Sequence, residues 1–186
     1  SSICHHACVV PRRFWQNRIA EAWLRHSVVS VVGVRGAGKT LLARAAAPAE
    51  FLDCSAPGTR ALLARPEAFL GTALGRTVVL DEVGRLENAR ELLGLAASRF
   101  PTVRILTTST LPLGTGETRA AAAPAWPPAS APAGSIGSVW LTPMTLRDMK
   151  EFGVTDIRRR MLHGGLPGFL LAAEPPGAVI EAWVDT

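Results

Sequence analysis

Apolar and polar positions follow two rhythms along this chain, and each change of rhythm marks an element. Short apolar runs recur at 27–32, 50–54, 77–82, 103–110 and 139–141. Runs of this length, rich in Val, Ile and Leu and bounded by turn residues, predict buried strands. Between them the spacing stretches to three and four. Phe14, Trp15, Ile19, Ala22 and Trp23 share one helical side within 12–26, and Leu86, Ala89, Leu92, Leu93 and Ala96 share another within 86–100. Residues 41–47 are strong helix formers stopped by Pro48, and 59–70 reads as a helix broken near Pro66. Past 141, short helices are expected at 145–152 and 155–163, separated by Gly153. Gly164-Gly165-Leu166-Pro167 then breaks the chain, and 168–173 starts another helix. Alternating strands and helices predict an α/β fold, a parallel sheet of about five strands covered on both faces.

The sharpest chemical signal lies between the first strand and the second helix. Gly33-Val34-Arg35-Gly36-Ala37-Gly38-Lys39-Thr40 matches the phosphate-binding loop pattern G-x-x-x-x-G-K-[ST]. Strand, glycine loop and helix is the context such a loop needs, because the glycines let successive amides turn inward toward a phosphate. Lys39 is spaced to reach the β- and γ-phosphates of a nucleoside triphosphate, and the Thr40 hydroxyl to ligate Mg²⁺. The candidate binding set is Gly33, Arg35, Gly36, Ala37, Gly38, Lys39, Thr40 and Leu41, with Arg35 shaping the loop.

Asp81 and Glu82 end the apolar run Val78-Val79-Leu80. Ligands of open α/β sheets bind at the carboxyl ends of strands. Asp81 is therefore expected to hold Mg²⁺ with Thr40, and Glu82 to activate the attacking water. A strand between the loop and Asp81 makes this the kind of phosphate-loop fold that carries a catalytic glutamate. The run at 103–110 ends in Thr107-Thr108-Ser109-Thr110. These hydroxyls either sense the γ-phosphate, Ser109 or Thr107 foremost, or cap the following turn. Arg158-Arg159-Arg160 is either a solvated helix face or a source of positive charge for the γ-phosphate.

Composition narrows the picture less. The 186 residues suit one domain, or one plus part of a second. A net charge of +5 favours anionic ligands, nucleic acid among them, although no nucleic-acid recognition motif is present. Three cysteines make no disulfide framework and fit a reducing, cytoplasmic setting. No apolar run is long enough to span a membrane. Cys4-His5-His6-Ala7-Cys8 crowds four metal-binding side chains into a segment too short to arrange a tetrahedron, so 1–11 is expected to be a disordered end. Residues 111–137, dominated by Ala, Pro, Gly, Ser and Thr, read as a surface insertion. The lack of an initiator Met and of a closing signal near Thr186 predicts a chain that continues beyond both ends.

Together these motifs resemble the prokaryotic AAA-superfamily ATPases that carry a C-terminal domain of unknown function. The resemblance runs from about Arg12 to Gly168. It rests on the phosphate loop (Walker A), Phe51-Leu52-Asp53, the Asp81-Glu82-Val83 strand end (Walker B) and the sensor strand at 103–110. Leu141-Thr142-Pro143-Met144-Thr145-Leu146 and Leu162-His163-Gly164-Gly165-Leu166-Pro167 are similar to the family's more specific stretches. This chain has Thr108-Ser109 where the family has Gly-Ser, and Gly137-Ser138 where it often has Gly-Arg. The resemblance implies an ATPase core of the AAA/ASCE type over 12–143 and a helical lid over 144–186 cut short before a further domain. ATP and Mg²⁺ would be its cofactors, and the missing domain or an unknown protein its partner; oligomers are compatible with it. A nucleotide-gated switch with negligible turnover and a small-molecule kinase stand as alternatives.

Overall fold

Five strands, parallel throughout, form one sheet in the order β2-β3-β4-β1-β5. The computed structural model describes residues 12–46, 49–111 and 136–172. The strands are β1 (Val28–Val32), β2 (Glu50–Asp53), β3 (Thr77–Asp81), β4 (Arg104–Ser109) and β5 (Gly137–Trp140). The helices are α1 (Arg13–Trp23), α2 (Lys39–Ala46), α3 (Pro57–Leu63), α4 (Pro66–Thr72), α5 (Ala89–Arg99), α6 (Leu146–Glu151), α7 (Ile157–His163) and α8 (Pro167–Leu170).

Burial follows from this order. β1 is covered on both faces, and all five of its residues are buried, as its four valines favour. β2 lies at the sheet edge and keeps Glu50 and Asp53 exposed. The strand that separates β1 from β3 in space is therefore β4, although β2 separates them in the sequence. Hydrophobicity decides the exchange: β4 buries every residue after Arg104, whereas β2 carries a charge at each end.

Two apolar layers sandwich the sheet. Trp15 and Ile19 of α1 and Leu42 and Ala43 of α2 pack on Val29, Val31, Val79 and Leu106. On the other face α3, α4 and α5 bring Leu63, Leu70, Leu92 and Leu93 onto Val28, Val78, Leu80 and Ile105. The helix expected over 59–70 with a break near Pro66 is two helices, each opened by a proline in its first turn, Pro57 and Pro66. The C-terminal helices hold a small core of their own, Met144, Met149 and Leu170. Thr145 and Asp148 cap α6 reciprocally, and Gly164 ends α7 with a φ of 75°.

The segment 1–11 with its Cys4–His5–His6–Cys8 cluster, nearly all of the 111–137 insertion and the chain from 173 onward lie outside the described residues.

Candidate functional site

β1 delivers the chain to a loop at the carboxyl edge of the sheet, and α2 carries it away. Gly33 opens the loop where the backbone passes so close to the residue after β5 that a Cβ would clash with the Leu141 carbonyl oxygen. Gly36 and Gly38 take φ values of 79° and 87°, a region costly for any residue with a side chain. The turn closes by the Ala37 amide donating to the Val34 carbonyl at 3.2 Å, and α2 begins at Lys39. Lys39 folds back over the loop, its Nζ donating to the Gly33 and Val34 carbonyls at 2.8 and 3.0 Å. Burial pulls the Lys39 ammonium below the ordinary lysine range, while the charges of Glu82 and Asp81 pull the other way. Arg35 and Leu41 are exposed.

Beside the loop stands a chain of oxygen atoms. The Thr40 hydroxyl lies 3.0 Å from both carboxylate oxygens of Asp81, itself buried at the end of β3. On its other side Asp81 Oδ1 accepts from the Thr108 hydroxyl, which in turn accepts from the Glu82 amide at 2.9 Å. Glu82 itself lies in the left-handed region, at φ 51°. It is the sole non-glycine residue so placed among the described residues. The Glu82 carboxylate is exposed, with Arg85 Nε at 3.4 Å.

β4 sorts its hydroxyls by face. Leu80 pairs with Thr107, so Thr108 is the neighbour of Asp81 and shares its face. Thr107 points to the opposite face, where its hydroxyl and that of Ser30 beside it have no hydrogen-bond partner among the described residues. Ser109 turns into the following bend: its hydroxyl donates to the Leu111 carbonyl and accepts from the Leu111 amide at 3.1 Å. The strand hydroxyl of β4 that reaches the Asp81 carboxylate is thus Thr108, which motif spacing does not single out but strand alternation does, once the loop-bearing face is known.

A second residue at the site carries no motif. Arg12, 5 % exposed, donates through Nη1 to the Ala37 carbonyl at 2.8 Å and through Nη2 to Asp148 Oδ2 at 2.7 Å. From the C-terminal helices, Leu166 and Pro167 sit against the loop: a Cβ on Gly36 would lie 3.9 Å from Leu166 Cδ1, and one on Gly38 3.8 Å from Pro167 Cγ.

Chemically, the loop offers clustered amides at a helix start and an ammonium group, which together fit a phosphate. The Thr40 hydroxyl and Asp81 carboxylate are hard oxygen donors side by side, which fits a divalent cation such as Mg²⁺.

Comparison with solved structures bears on the fold. The chain is similar to the Walker-type ATPase PABY2304 of Pyrococcus abyssi, at a TM-score of 0.50 and 17% identity, over 86% of this chain and 65% of that one. This chain has a P-loop NTPase-like fold. PCH-2 of C. elegans matches more loosely, with a TM-score of 0.39 and 13% identity over 91% of this chain and 54% of that one. The chain thus spans about two thirds or less of the length of either protein. No family model and no curated protein matches the sequence. The finer likeness to ATPases with a C-terminal domain of unknown function therefore rests on sequence motifs alone.

Within this P-loop NTPase-like fold the arginine run of α7 divides. Arg159 donates to the Leu170 and Ala172 carbonyls and Arg160 to that of Met144, so both tie the C-terminal helices together. Arg158 is exposed. Ser138 is also exposed, on β5 beside Ser30. Among the described residues no helix is long and apolar enough to cross a membrane.

Proposed function

We propose that this chain binds ATP with Mg²⁺ and hydrolyses its β–γ phosphoanhydride, with the C-terminal helices acting as a lid that relays nucleotide state to a partner domain. The observation that carries the reading is the hydrogen-bonded series Thr40–Asp81–Thr108–Glu82 set beside the glycine loop. The amides of 36–40 and the Lys39 ammonium would hold the phosphates. Thr40 and Asp81 would hold Mg²⁺, which when bound offsets charge on the phosphate oxygens. Glu82 would take a proton from the attacking water, and its strained backbone fits that role. Phosphate oxygens would also replace the two loop carbonyls as partners of Lys39 and favour its charged form.

The measurement that tests the reading is the thermal midpoint of the chain with and without Mg²⁺-ATP. At one hundred times its dissociation constant, ATP stabilises by about 2.7 kcal/mol. For a protein of this size that raises the midpoint by about 5–10 °C. Lys39→Ala should abolish the shift. Glu82→Gln should keep it while slowing turnover about a hundredfold or more. Equal turnover in the Glu82 variant would remove Glu82 from the mechanism, and a shift that survives Lys39→Ala would remove the loop.

One observation favours a second reading, a nucleotide-gated switch with negligible turnover. The Glu82 carboxylate is turned toward Arg85, in solvent. Single-turnover hydrolysis separates the two: product formed within one binding event supports the ATPase, and bound ATP that persists supports the switch.

A further inference from the structure

Arg12 is buried where the start of α1 meets the phosphate loop and the stretch from β5 to α6, which lie far apart in the chain. Its guanidinium reaches the phosphate loop at Ala37 O (2.8 Å), the strand exit at Thr142 O (3.3 Å) and α6 at both Asp148 oxygens (3.1 and 2.7 Å). Asp148 is no ordinary partner. Its Oδ2 also accepts from the Thr145 amide at 2.7 Å and from Trp15 Nε1 at 3.3 Å, so it is at once the capping residue of α6 and an anchor for α1. Neither side chain sees solvent to any extent, at 5% and 1% exposure.

The contact with Ala37 has a directional consequence. In a trans peptide the carbonyl and the following amide point in opposite directions. By holding the Ala37 carbonyl, Arg12 turns the Gly38 amide away from itself. Gly38 adopts its φ of 87° directly against the guanidinium, with a Cβ position 4.0 Å from Nη1. A planar fork can grip the carbonyl with one arm and the carboxylate with the others; a single ammonium cannot.

We propose that Arg12 is a positioning residue for phosphate binding: it aims the Gly38 amide and makes the geometry of the loop conditional on the seating of α6 through Asp148. The proposal rests on the nucleotide reading for its ligand but not for its mechanics. It assigns to the start of α1 a role in the site, and it gives nucleotide a direct route to the lid, since any movement of the Ala37 peptide on phosphate binding is felt at Asp148.

The test uses the full chain with Arg12→Lys, Asp148→Asn and, as a control for lost stability alone, Leu92→Ala in α5 on the opposite face of the sheet from α1 and α2. Two quantities are read: the dissociation constant for Mg²⁺-ATP by calorimetry, and hydrogen exchange of the loop amides without nucleotide. Arg12→Lys should raise the dissociation constant about tenfold or more, as loss of a charge-assisted hydrogen bond does, and should speed exchange across 36–40. Asp148→Asn, which touches no loop atom, should do the same, and the double variant should be little worse than either single one. Leu92→Ala should lower the thermal midpoint and leave both readouts unchanged. Should Arg12→Lys not fold, Asp148→Asn against Leu92→Ala decides. Equal weakening by Leu92→Ala, or unchanged loop exchange in Arg12→Lys, overturns the proposal. A wild-type chain that binds no Mg²⁺-ATP while Arg12→Lys still speeds loop exchange upholds the clamp and sinks the nucleotide reading instead.

Discussion

Thr108 shows how much one hydroxyl can organise. It donates to Asp81 and accepts from the Glu82 amide, so it fixes both the carboxylate and the backbone of the residue that follows it. Thr108→Val preserves the shape and removes both contacts, leaving a buried carboxylate short of a donor and an amide without an acceptor. A loss of about 1–3 kcal/mol is expected. Because Glu82 holds a left-handed backbone with that amide contact, turnover should fall further than Mg²⁺-ATP affinity. Denaturant unfolding and steady-state kinetics on the same variant check both expectations. The loop itself was legible residue by residue, since glycine spacing and Lys39-Thr40 encode a local geometry. Thr108 was not, because its importance depends on which face of β4 meets α2, and a short apolar strand buried on both sides carries no amphipathic mark. Arg12 was legible least of all: its partner lies 136 residues away, and no local pattern reports a contact of that separation.

At the scale of elements, β4 is the strand on which the site depends. It pairs with β1 and β3 and so sets the distance between loop and carboxylates. Its opposite face offers a clean control. Thr107 and Ser30, register partners, bury hydroxyls that have no hydrogen-bond partner among the described residues. Thr107→Val should therefore leave stability unchanged or raise it by about 1 kcal/mol, with the Mg²⁺-ATP shift intact. A lost shift would instead return Thr107 to the site as a sensor. The elements themselves were read from the sequence with small shifts at their ends, because strands covered on both faces carry runs of Val, Ile and Leu and prolines such as Pro57, Pro66 and Pro167 open helices. Strand order needed the structure. The charges of Glu50 and Asp53 mark β2 as an edge strand in hindsight, but adjacency along the chain suggested it as the divider between loop and Asp81.

For the molecule as a whole, the Arg12–Asp148 pair joins the sheet to the C-terminal helices, and its strength depends on pH. Burial alone would push the Asp148 carboxyl up. Hydrogen bonds from Arg12 and the Thr145 amide outweigh that effect, and the net value lies below the usual aspartate range. A carboxyl lowered in the folded state contributes its stabilisation in full above its unfolded value, about 3.9, and loses it as pH falls through the folded value. The thermal midpoint should therefore drop below about pH 4. Asp148→Asn should already be about 3–5 kcal/mol less stable at pH 7, and should lose less over the same acid step. Melting curves at several pH values for both proteins measure this directly.

The strand order also has a consequence for the chain while it is being made. β1 is apolar at every position but Ser30, yet both of its neighbours, β4 and β5, are encoded downstream of it. From the emergence of Val32 until Arg104 and its successors follow, both edges of β1 stay unpaired. At bacterial or eukaryotic synthesis speeds that interval lasts about 4–14 s. A nascent chain halted before β4 would present an uncovered Val28-Val29-Ser30-Val31-Val32 segment to its surroundings. The segment that seats the phosphate loop in the finished protein is thus the one most in need of protection on the ribosome.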